Sequence, residues 1–501
     1  MPFYVTTPIY YVNSTPHIGH AYTTIAADIL ARHHRQRGEE TFFLTGVDEH
    51  ADKVARVALE QGLEPKEYAD RIVVAWQELP KRLNASNDFF IRTSDEGHHR
   101  FVQQFLQRVY DNGDVYEDVY AGYYCYGCEE FKTPDELVDG KCPIHDTVAE
   151  WLEEKNYFFR LSAYQDKLLR LYDERSDLVL PHFRYNEARS FIEGGLRDFS
   201  ISRATQTWGV PIPWDPQQVA YVWADALVNY LSALSYAPGE NLERFWPGIH
   251  LLAKDILRFH CVYWPALLLS AGYDPPQQLF VHGYLNLDDR KISKSLGNVI
   301  DPLDLIDDYG VDAVRFWAAR TVSFGQDGNV TLASVQERYE RELANDLGNL
   351  VSRTTAMIAR YRGGALARVI GEAPVALDAL RSDVAERLDV FDITGALEAI
   401  WNVVRRLNQY VETTAPWQLA KDDGRAAELD AVLYNLADGL TGVAITLAPY
   451  LPETAPRILT ALGQPVDLAW ERIAQGTAAA AEGIEAAPPL FPRVELPTAA
   501  S

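Results

Sequence analysis

Cysteine, methionine and long hydrophobic runs are all scarce in this chain. Four cysteines in 501 residues exclude a disulfide-stapled scaffold and favour a reducing compartment, so we expect a cytoplasmic protein. The best apolar run, at 261–272, is too short to span a bilayer. The first residues also lack the basic and apolar regions of a secretion signal, so the chain is expected to be soluble.

Positive charge is in deficit as well. Lysine and arginine total 46 against 71 acidic residues, which gives a net charge of −25. This balance argues against a general nucleic-acid coat, but it allows a local basic surface that binds one defined RNA. The length is sufficient for roughly two to four domains with sizeable cores.

The first third of the chain alternates between strand-like and helix-like segments. An aromatic and β-branched run at 3–12 predicts a buried strand, a helical pattern follows as far as Gly38, and a second strand-like run ends at 48–50. This alternation predicts βαβ units and a parallel sheet, whose ligands bind beyond the carboxyl ends of the strands. The segment His17–His20 and the Asp-Glu-His segment both fall at that edge.

Strand signals nearly vanish from residue 334 onward, where long amphipathic helices predict a bundle. The predicted architecture is an α/β, Rossmann-like domain with an insert, an α-helical bundle and a tail that is weakly ordered or draped over the surface. The predicted ranges are 1–115 and 219–333 for the two halves of the α/β domain, 116–218 for the insert, 334–475 for the bundle and 476–501 for the tail.

The His-Ile-Gly-His segment has the chemistry of a phosphate site. His17 leads into a helix, whose free N–H groups and positive dipole end favour phosphate. His17 and His20 are three residues apart and face the same way. Gly19 between them has no side chain, so a base or a ribose can lie against the backbone. Taken alone, the pair is equally well explained by chance at a helix start.

A second candidate phosphate site is the loop at 288–298, which contains Arg290, Lys291 and Lys294 with small hydroxyls such as Ser293. Mobile ammonium groups suit a polyphosphate that is gripped during a reaction and then released. Taken alone, this segment is also typical of an exposed basic loop.

Together, His-Ile-Gly-His and Lys-Ile-Ser-Lys-Ser resemble the signature pair of class I aminoacyl-tRNA synthetases, and the chain is similar to the methionyl-tRNA synthetase family in particular. The likeness extends from about Phe3 to Leu451 and is densest in YVTTPIYYVN, HIGHAYTT, WGVPIPW, RKISKSLGN and APWQLA. It implies an ATP-dependent ligase that converts methionine to methionyl-adenylate and transfers it to the 3′-terminal ribose of methionine tRNA.

The resemblance also implies a role for individual residues. The catalytic residues would be His17, His20, Lys291, Lys294 and Arg203. ATP, accompanied by Mg²⁺, would contact His17, Gly19, His20, Asp255, Lys291, Ser293 and Lys294. The methionine pocket would include Ile9, Tyr10, Asp48, Trp223, Leu227, Tyr230 and His260. An aromatic slot suits a thioether, and a carboxylate anchors an ammonium group. Ordinary core packing is the alternative for each aromatic residue, and Trp208 is assigned to the core.

Cysteines and a histidine in the insert form a metal-binding pattern, C-x2-C followed by C-x2-H. Three thiolates and an imidazole give a closed tetrahedral site for structural zinc, with disulfides as the alternative. The four expected ligands are Cys125, Cys128, Cys142 and His145. The remaining cysteine, Cys261, lies in an apolar stretch and is expected in the core. Such a knuckle, in an insert of about 100 residues, is a methionyl-type feature of the family.

Asn349, Arg353 and Trp417 match the anticodon-reading positions of the family. Asn349 and Arg353 are four residues apart on one predicted helix, and an exposed indole suits splayed single-stranded bases. Decoration of a helix surface is the alternative reading. Further phosphate contacts are expected from Arg338, Arg341, Arg360 and Arg362.

Ala51 and Ala253 depart from the family, which usually has glycine at both positions. Two alternatives therefore accompany the main interpretation: a related class I synthetase with another aliphatic substrate, and a non-catalytic synthetase-like tRNA binder. No further module follows the bundle in the sequence, so a monomer is expected.

Overall fold

The computed structural model describes residues 2–12, 15–125, 130–143, 146–287, 290–291, 300–369 and 371–494. The strands are β1 (Phe3–Tyr11), β2 (Thr41–Asp48), β3 (Phe89–Arg92), β4 (Val115–Cys125), β5 (Glu130–Lys132), β6 (Lys141–Cys142), β7 (Thr147–Val148), β8 (Glu150–Phe159), β9 (Val179–Leu180), β10 (Phe199–Ser200), β11 (Ser202–Arg203), β12 (Pro211–Ile212), β13 (Asp215–Ala220), β14 (Ile249–Ala253), β15 (Gln278–His282), β16 (Leu285–Leu287), β17 (Arg290–Lys291) and β18 (Gly328–Val330).

The α-helices are α1 (Ile18–Gln36), α2 (Asp52–Glu60), α3 (Pro65–Arg82), α4 (Glu96–Asp111), α5 (Gln165–Glu174), α6 (His182–Glu193), α7 (Val222–Ala226), α8 (Asn229–Tyr236), α9 (Leu242–Phe245), α10 (Trp264–Ala271), α11 (Pro302–Tyr309), α12 (Val311–Thr321), α13 (Leu332–Arg338), α14 (Asn349–Arg362), α15 (Leu377–Asp389), α16 (Ile393–Thr414), α17 (Pro416–Leu419), α18 (Ala426–Leu447) and α19 (Thr454–Ala461). Two π-helical segments, Phe259–Tyr263 and Tyr339–Gly348, precede α10 and α14.

A six-stranded sheet in the order β3-β2-β1-β14-β15-β9 organises the α/β domain. All of its neighbouring strands are parallel, as the alternation of strands and helices predicts. The chain leaves β1 toward β2 on one side and later adds β14 and β15 on the other. The order therefore reverses between β1 and β14, and a crevice forms at their carboxyl ends.

Helix α1 packs along this sheet and carries the His-Ile-Gly-His segment at its start. His17 is the N-cap of the helix, and its Nδ1 accepts the backbone N–H of Gly19 at 3.1 Å. The helix ends where Gly38 adopts a left-handed φ of +75°, as expected for a glycine just past a helix terminus. The two histidines therefore lie at the carboxyl edge of the sheet, as predicted.

The insert is built from antiparallel sheets, ordered β10-β8-β4-β5 and β11-β13-β12. The predicted limits of 116–218 fall inside β4 and β13, and β9 inside that range belongs to the parallel sheet, where it pairs with β15. A strand of two residues has no hydrophobic run that would reveal it in the sequence. The insert is therefore interrupted by a return to the main sheet.

Helices α13 to α19 form the predicted bundle, and its core continues into the α/β domain. One hydrophobic cluster includes Ile29 of α1, Phe316 of α12 and Trp401 of α16. Gln36 adds two hydrogen bonds across the boundary, because its Nε2 donates to the carbonyls of Ile445 and Leu468, both at 2.9 Å. Among the described helices, none is both long and apolar enough to cross a membrane.

The predicted weakly ordered tail is packed over 476–494. Ile484, Leu490 and Phe491 are buried in the cluster that fills the bundle. The backbone N–H of Ala487 donates to Thr355 Oγ1 at 3.0 Å. The tail is therefore draped over the surface, the second of the two predicted alternatives, and isolated apolar residues anchor it by filling gaps between helices. Residues 495–501 lie outside the described part of the chain.

Candidate active site

Predicted site residues converge on the crevice at the carboxyl edge of the parallel sheet. β2 ends at Asp48, β14 ends at Ala253, and α1 begins beside the end of β1. The loops that follow these three strands bring together residues from distant parts of the sequence. This position is where parallel sheets bind ligands.

Backbone N–H groups at the start of α1 hold His17 and His20 in one tautomer. The Nδ1 atom of His20 accepts the backbone N–H of His17 at 3.1 Å, and the Nδ1 atom of His17 accepts the N–H of Gly19. Both Nδ1 atoms act as acceptors, so the ring proton of each neutral imidazole is on Nε2. The ring centroids are 3.8 Å apart, and the pair can therefore offer two N–H donors to one ligand.

His20 also lies in an aromatic setting that keeps its ring neutral. Its ring meets the edges of Trp76 at 4.7 Å and Tyr10 at 4.8 Å between centroids. Burial lowers the pKa of His20 well below its usual value, and the neighbouring His17 lowers it further. At neutral pH the His20 imidazole is therefore uncharged and can act as a hydrogen-bond donor through its Nε2.

Tyr10 does not face the predicted methionine pocket, and Tyr11 does. The hydroxyl of Tyr10 lies 3.0 Å from Thr24 Oγ1, and its ring stacks on Trp76 at 5.5 Å. Tyr11 approaches Trp223 edge-on at 6.3 Å. Successive side chains of a strand point to opposite faces, so Ile9 and Tyr11 share the face toward the pocket. That alternation was the signal that could have identified Tyr11.

An aromatic pocket forms where α7, α8 and the first π-helical segment meet. Trp223 stacks on Phe259 with 3.9 Å between centroids and an interplanar angle of 4°. Leu227, Tyr230 and His260 are buried in or beside the same cluster. The structure thus brings the predicted residues of α7, α8 and the π segment together and adds Phe259, which the sequence analysis missed.

His260 is fixed in the pocket wall by two hydrogen bonds. Its Nε2 accepts from the hydroxyl of Tyr230 at 2.7 Å, and its Nδ1 donates to the carbonyl of Ile256 at 3.0 Å. Burial lowers the pKa of His260 to about 4. The imidazole is therefore neutral at physiological pH, and the pocket presents a largely apolar, aromatic lining.

Asp48 contributes a buried carboxylate beside this pocket. Its Oδ1 accepts the backbone N–H of His50 at 3.0 Å and the hydroxyl of Thr93 at 3.4 Å. Within the described part of the chain, its Oδ2 has no hydrogen-bond partner. Burial raises the pKa of Asp48 to about 7, and the charge of Asp225 contributes to the shift. A cation that reached Oδ2 would therefore bind a carboxylate in need of a partner.

Asp225 joins the site through two histidines, and the sequence analysis missed this cluster. Its Oδ2 lies 2.5 Å from His50 Nδ1, and its Oδ1 lies 2.7 Å from His98 Nε2. All three side chains are buried. Burial alone would raise the pKa of Asp225, but the charges of His50 and His98 lower it below its usual value. The carboxylate is therefore ionised at neutral pH.

The basic loop is only partly covered by the structure. Lys291 is described by its backbone, which pairs with Asn286 in β16 and β17. Ser293 and Lys294 lie outside the described residues. Asp255 is exposed in a short helical turn after β14. Its charge and hydrogen bond help burial raise the pKa of Tyr284 above its usual value.

Arg203 and Trp208 are placed differently from their predictions. The guanidinium of Arg203 is buried, donates to Ser200 Oγ at 2.9 Å and lies 4.1 Å from the ring centre of Tyr221. These contacts pack its side chain within the insert, to which β11 belongs. Trp208 is not in the core: it is partly exposed, and its Nε1 donates to the carbonyl of Glu49 at 2.5 Å. An indole N–H needs an acceptor, which this loop supplies.

Two of the four predicted metal ligands are visible, and they lie close together. Cys125 ends β4, and its Sγ is 3.9 Å from Thr147 Oγ1. Thr147 is in turn the register partner of Cys142 in the β6–β7 hairpin. Both cysteines are buried. Cys128 and His145 lie outside the described residues. Cys261 is buried in the core, as predicted.

The candidate anticodon residues lie on neighbouring helices of the bundle. Arg353 on α14 pairs with Glu412 near the end of α16, at 2.6 Å. Asn349 is exposed one turn before Arg353. Trp417 is half-buried against the bundle, so part of the indole predicted to be exposed is covered. A left-handed turn at Ala415, with φ +43°, directs α17 away from α16.

The surrounding arginines are less available than the sequence suggested. Arg338 pairs with Glu342, Arg341 with Glu337, and Arg362 with Asp430. Surface pairs of this kind contribute little stability and open readily. Any phosphate contact by these side chains would first have to displace a carboxylate.

Comparison with protein families identifies this combination of domains. A profile described as "tRNA synthetases class I (M)" matches residues 3–149 and 132–355, and one described as "Anticodon binding domain of methionyl tRNA ligase" matches residues 368–494. The chain belongs to the methionyl-tRNA synthetase family. The predicted family and fold class are therefore confirmed.

Individual members of the methionyl-tRNA synthetase family are similar along nearly the whole chain. Methionine–tRNA ligase of Caldanaerobacter subterraneus subsp. tengcongensis is 44% identical over 504 residues, which cover 99% of this chain and 79% of the relative. The Streptomyces coelicolor methionine–tRNA ligase is 43% identical over 527 residues, covering 98% and 97%. The crystal structure of Mycobacterium tuberculosis methionyl-tRNA synthetase bound by methionyl-adenylate superposes with a TM-score of 0.93 at 39% identity, covering 98% of this chain and 100% of that one.

The two departures from the methionyl-tRNA synthetase pattern fit the backbone without strain. Ala51 has φ −59° and is buried beside Val12 and Val54. Ala253 has φ −81° at the end of β14. Neither position needs the left-handed conformation that favours glycine. The extra methyl groups therefore give no backbone support to the alternative of a non-catalytic tRNA binder.

Proposed function

We propose that this chain activates methionine with ATP and transfers it to the terminal ribose of methionine tRNA, with the predicted residues other than Arg203 in the roles given above and Tyr11 in place of Tyr10. The observation that carries the proposal is one crevice that holds paired N–H donors, an aromatic pocket and a buried carboxylate. Each group matches one part of the two substrates.

The methionine end of the reaction is assigned to the aromatic pocket. The thioether lies against Trp223 and Tyr11, because sulfur contacts with aromatic rings are favourable. The ammonium group binds Oδ2 of Asp48 through a charge-assisted hydrogen bond. The substrate carboxylate is thereby directed toward the start of α1, where the two histidines offer their N–H groups.

The activation step is a displacement at phosphorus. An oxygen of the methionine carboxylate attacks the α-phosphorus of ATP, the bond to the bridging oxygen breaks, and pyrophosphate leaves. His17 and His20 stabilise charge on the phosphate as neutral donors, and Lys291 and Lys294 stabilise the leaving pyrophosphate. Mg²⁺ accompanies ATP and neutralises part of its charge. The hydroxyl of the tRNA ribose then attacks the adenylate carbonyl, and AMP leaves.

A structural zinc ion is proposed for the insert. The donor set fits, because two buried thiols already lie near one hairpin and the other two ligands flank them at C-x2-C and C-x2-H spacing. Thiolates and an imidazole prefer Zn²⁺ in a closed tetrahedral site. The ion would fold the knuckle and would take no part in adenylation.

The bundle is proposed to read the anticodon. Asn349 and Arg353 offer polar groups on one face of α14, and the pair of Arg353 with Glu412 brings that face near α17, which carries Trp417. Stacking of a base on the half-buried indole is compatible with its position. We also propose that the protein is a cytoplasmic monomer whose domains have the roles predicted from the sequence.

Methionine-dependent exchange between ATP and pyrophosphate tests the function directly. The purified chain should catalyse exchange with methionine and much more slowly with leucine, isoleucine or valine, and it should then charge methionine tRNA. Exchange with another aliphatic amino acid at equal efficiency would contradict the substrate. tRNA binding without any exchange would favour a non-catalytic binder. Light scattering of the same sample tests the monomer.

A further inference from the structure

The carboxylate of Asp225 connects three separate elements beside the pocket. It belongs to α7, whereas His50 follows β2 and His98 lies in the first turn of α4. The two contacts measure 2.5 Å and 2.7 Å, and His98 is anchored in turn because its Nδ1 lies 2.7 Å from Ser232 Oγ. The exposed fractions of Asp225, His50 and His98 are 0%, 2% and 0%.

This arrangement is a poor way to stabilise a fold. Burying a carboxylate costs several kcal/mol, which its partners only roughly offset, and apolar residues of similar volume often serve stability as well or better. A buried ionic cluster is better suited to fixing elements in one relation to each other. The question is which functional groups those elements carry.

Two of the three elements joined by Asp225 carry part of the methionine site, and the third, α4, contacts α8 through His98 and Ser232. Trp223 lies two residues before Asp225 on the same short helix. On the other side, the backbone N–H of His50 donates to Asp48 Oδ1 at 3.0 Å. The Asp225 carboxylate therefore links the helix that carries Trp223 to His50, whose backbone N–H holds the Asp48 carboxylate.

We propose that Asp225 is a positioning residue for methionine, which keeps Asp48 and Trp223 in a fixed relation through His50 and His98. This proposal rests on the assignment of Asp48 to the substrate ammonium. Asp225 itself does not touch the substrate. A ligand that must contact an anion and an aromatic wall together binds weakly when either moves, so the effect should appear in methionine binding and spare ATP binding.

Other ionisable groups lie around Asp225 and its partner His50. Asp48 and Glu49 precede His50 in its loop, and Glu49 pairs with Arg92 at 2.8 Å. His99 Nε2 lies 3.4 Å from His50 Nε2, and burial lowers the pKa of His99 to about 4. The neutral His99 ring can accept a hydrogen bond from the Nε2–H of His50, so His50 can stay protonated on both nitrogens and pair with the anion.

Steady-state pyrophosphate exchange by the full-length chain tests the proposal. For Asp225→Ala we expect the KM for methionine to rise at least tenfold, with the KM for ATP and kcat within about threefold of wild type. For Asp225→Asn we expect a methionine KM between those of wild type and Asp225→Ala, because its single amide oxygen can accept a hydrogen bond from only one of the two histidines. The control is Asp438→Ala, another buried carboxylate, which lies in the bundle and accepts N–H groups of the tail. It should lower the melting temperature and leave both KM values unchanged.

A second pair of variants decides the matter if Asp225→Ala does not fold. His98→Gln keeps a donor for the carboxylate and should keep the wild-type KM for methionine, whereas His98→Ala should raise it severalfold. An unchanged methionine KM in both Asp225→Ala and His98→Ala would overturn the proposal, and so would equal rises in both substrate KM values. Asp48→Asn tests the ammonium assignment on its own. If this variant binds methionine as well as wild type does, the ammonium assignment is wrong, and the proposed role of Asp225 is then wrong too.

Discussion

Arg315 and Asp28 form an ion pair that is wholly removed from solvent, with Nη2 2.6 Å from Oδ2. Asp28 lies in the middle of α1, the helix that starts with the two histidines. Arg315 also donates to the carbonyls of Tyr450, Pro449 and Leu83. A single guanidinium therefore ties the catalytic helix to the end of α18 and to the turn after α3.

Asp28→Asn should destabilise the protein by about 3–5 kcal/mol, because it leaves the buried charge of Arg315 uncompensated. Burial acts to raise the pKa of Asp28, but Arg315 and Arg32 hold it below its usual value. The stabilisation is therefore present at neutral pH and is lost as the pH falls through the folded-state pKa. Urea unfolding at pH 7 measures the effect. Glu67→Gln, which breaks an exposed pair with Arg71, should cost less than about 1 kcal/mol.

His20→Ala should lower the rate of pyrophosphate exchange on the order of a hundredfold, since it removes one donor to the reacting phosphate. The melting temperature should fall only slightly, because the lost contact at the helix start is worth about 1 kcal/mol. His34→Ala, on the same helix but paired with Glu39 at 2.6 Å, is the matched control and should retain near-normal exchange. Equal activity of the two variants would contradict a role for His20.

Methionine binding should weaken as the pH falls through about 7, the pKa to which burial, aided by the charge of Asp225, raises Asp48. The sign follows because only the ionised carboxylate holds the ammonium group, so protonation competes with the substrate. Well below pH 7 the KM for methionine should rise about tenfold for each pH unit. The KM for ATP, measured in the same series, is the control. Calorimetry just below pH 7 should detect proton release on methionine binding.

Trp417→Ala should reduce tRNA charging at least about tenfold while leaving pyrophosphate exchange near normal, because base stacking on an aromatic ring is worth roughly 1–3 kcal/mol. The half-buried position predicts a small fall in melting temperature as well. Trp401→Ala gives the contrast: its side chain is fully buried, so both activities should fall together with stability. If Trp417→Ala behaves in the same way as Trp401→Ala, its indole is structural.

Zinc should be found at one ion per chain in protein made with zinc available. Cys142→Ser should release it and loosen the insert, while the helical bundle stays folded. Cys261→Ser is the control, because that thiol is buried elsewhere in the core and should leave the zinc content unchanged. Mass spectrometry under native conditions measures the content. Metal-free wild-type protein would refute the site.

Chain-local patterns predicted the architecture and much of the candidate site. Strand and helix periods are set by neighbouring residues, so they revealed the parallel sheet, α1 with its histidines, and the bundle. The family resemblance, carried by short motifs, assigned Asp48, Trp223 and His260 to one methionine pocket. In these cases the information lies within a few residues of the sequence.

The missed features depend on contacts between distant segments. Asp225 meets His50 across 175 residues and His98 across 127, and no local pattern encodes such a pairing. The π-helical segment that carries His260 has no recognisable period in the sequence. Tyr10 was predicted and Tyr11 was missed because the motif does not show on which face of the strand each ring lies.

The packed tail has a consequence for how the protein is made. Leu490 and Phe491 complete the core of the bundle, which also borders α1 and α12. Synthesis proceeds from the N-terminus, so the earlier helices emerge from the ribosome first. The core that they share then still lacks Leu490 and Phe491. Domains tend to fold as units during synthesis, but here the final consolidation of bundle and catalytic helix must wait until Phe491 has left the exit tunnel.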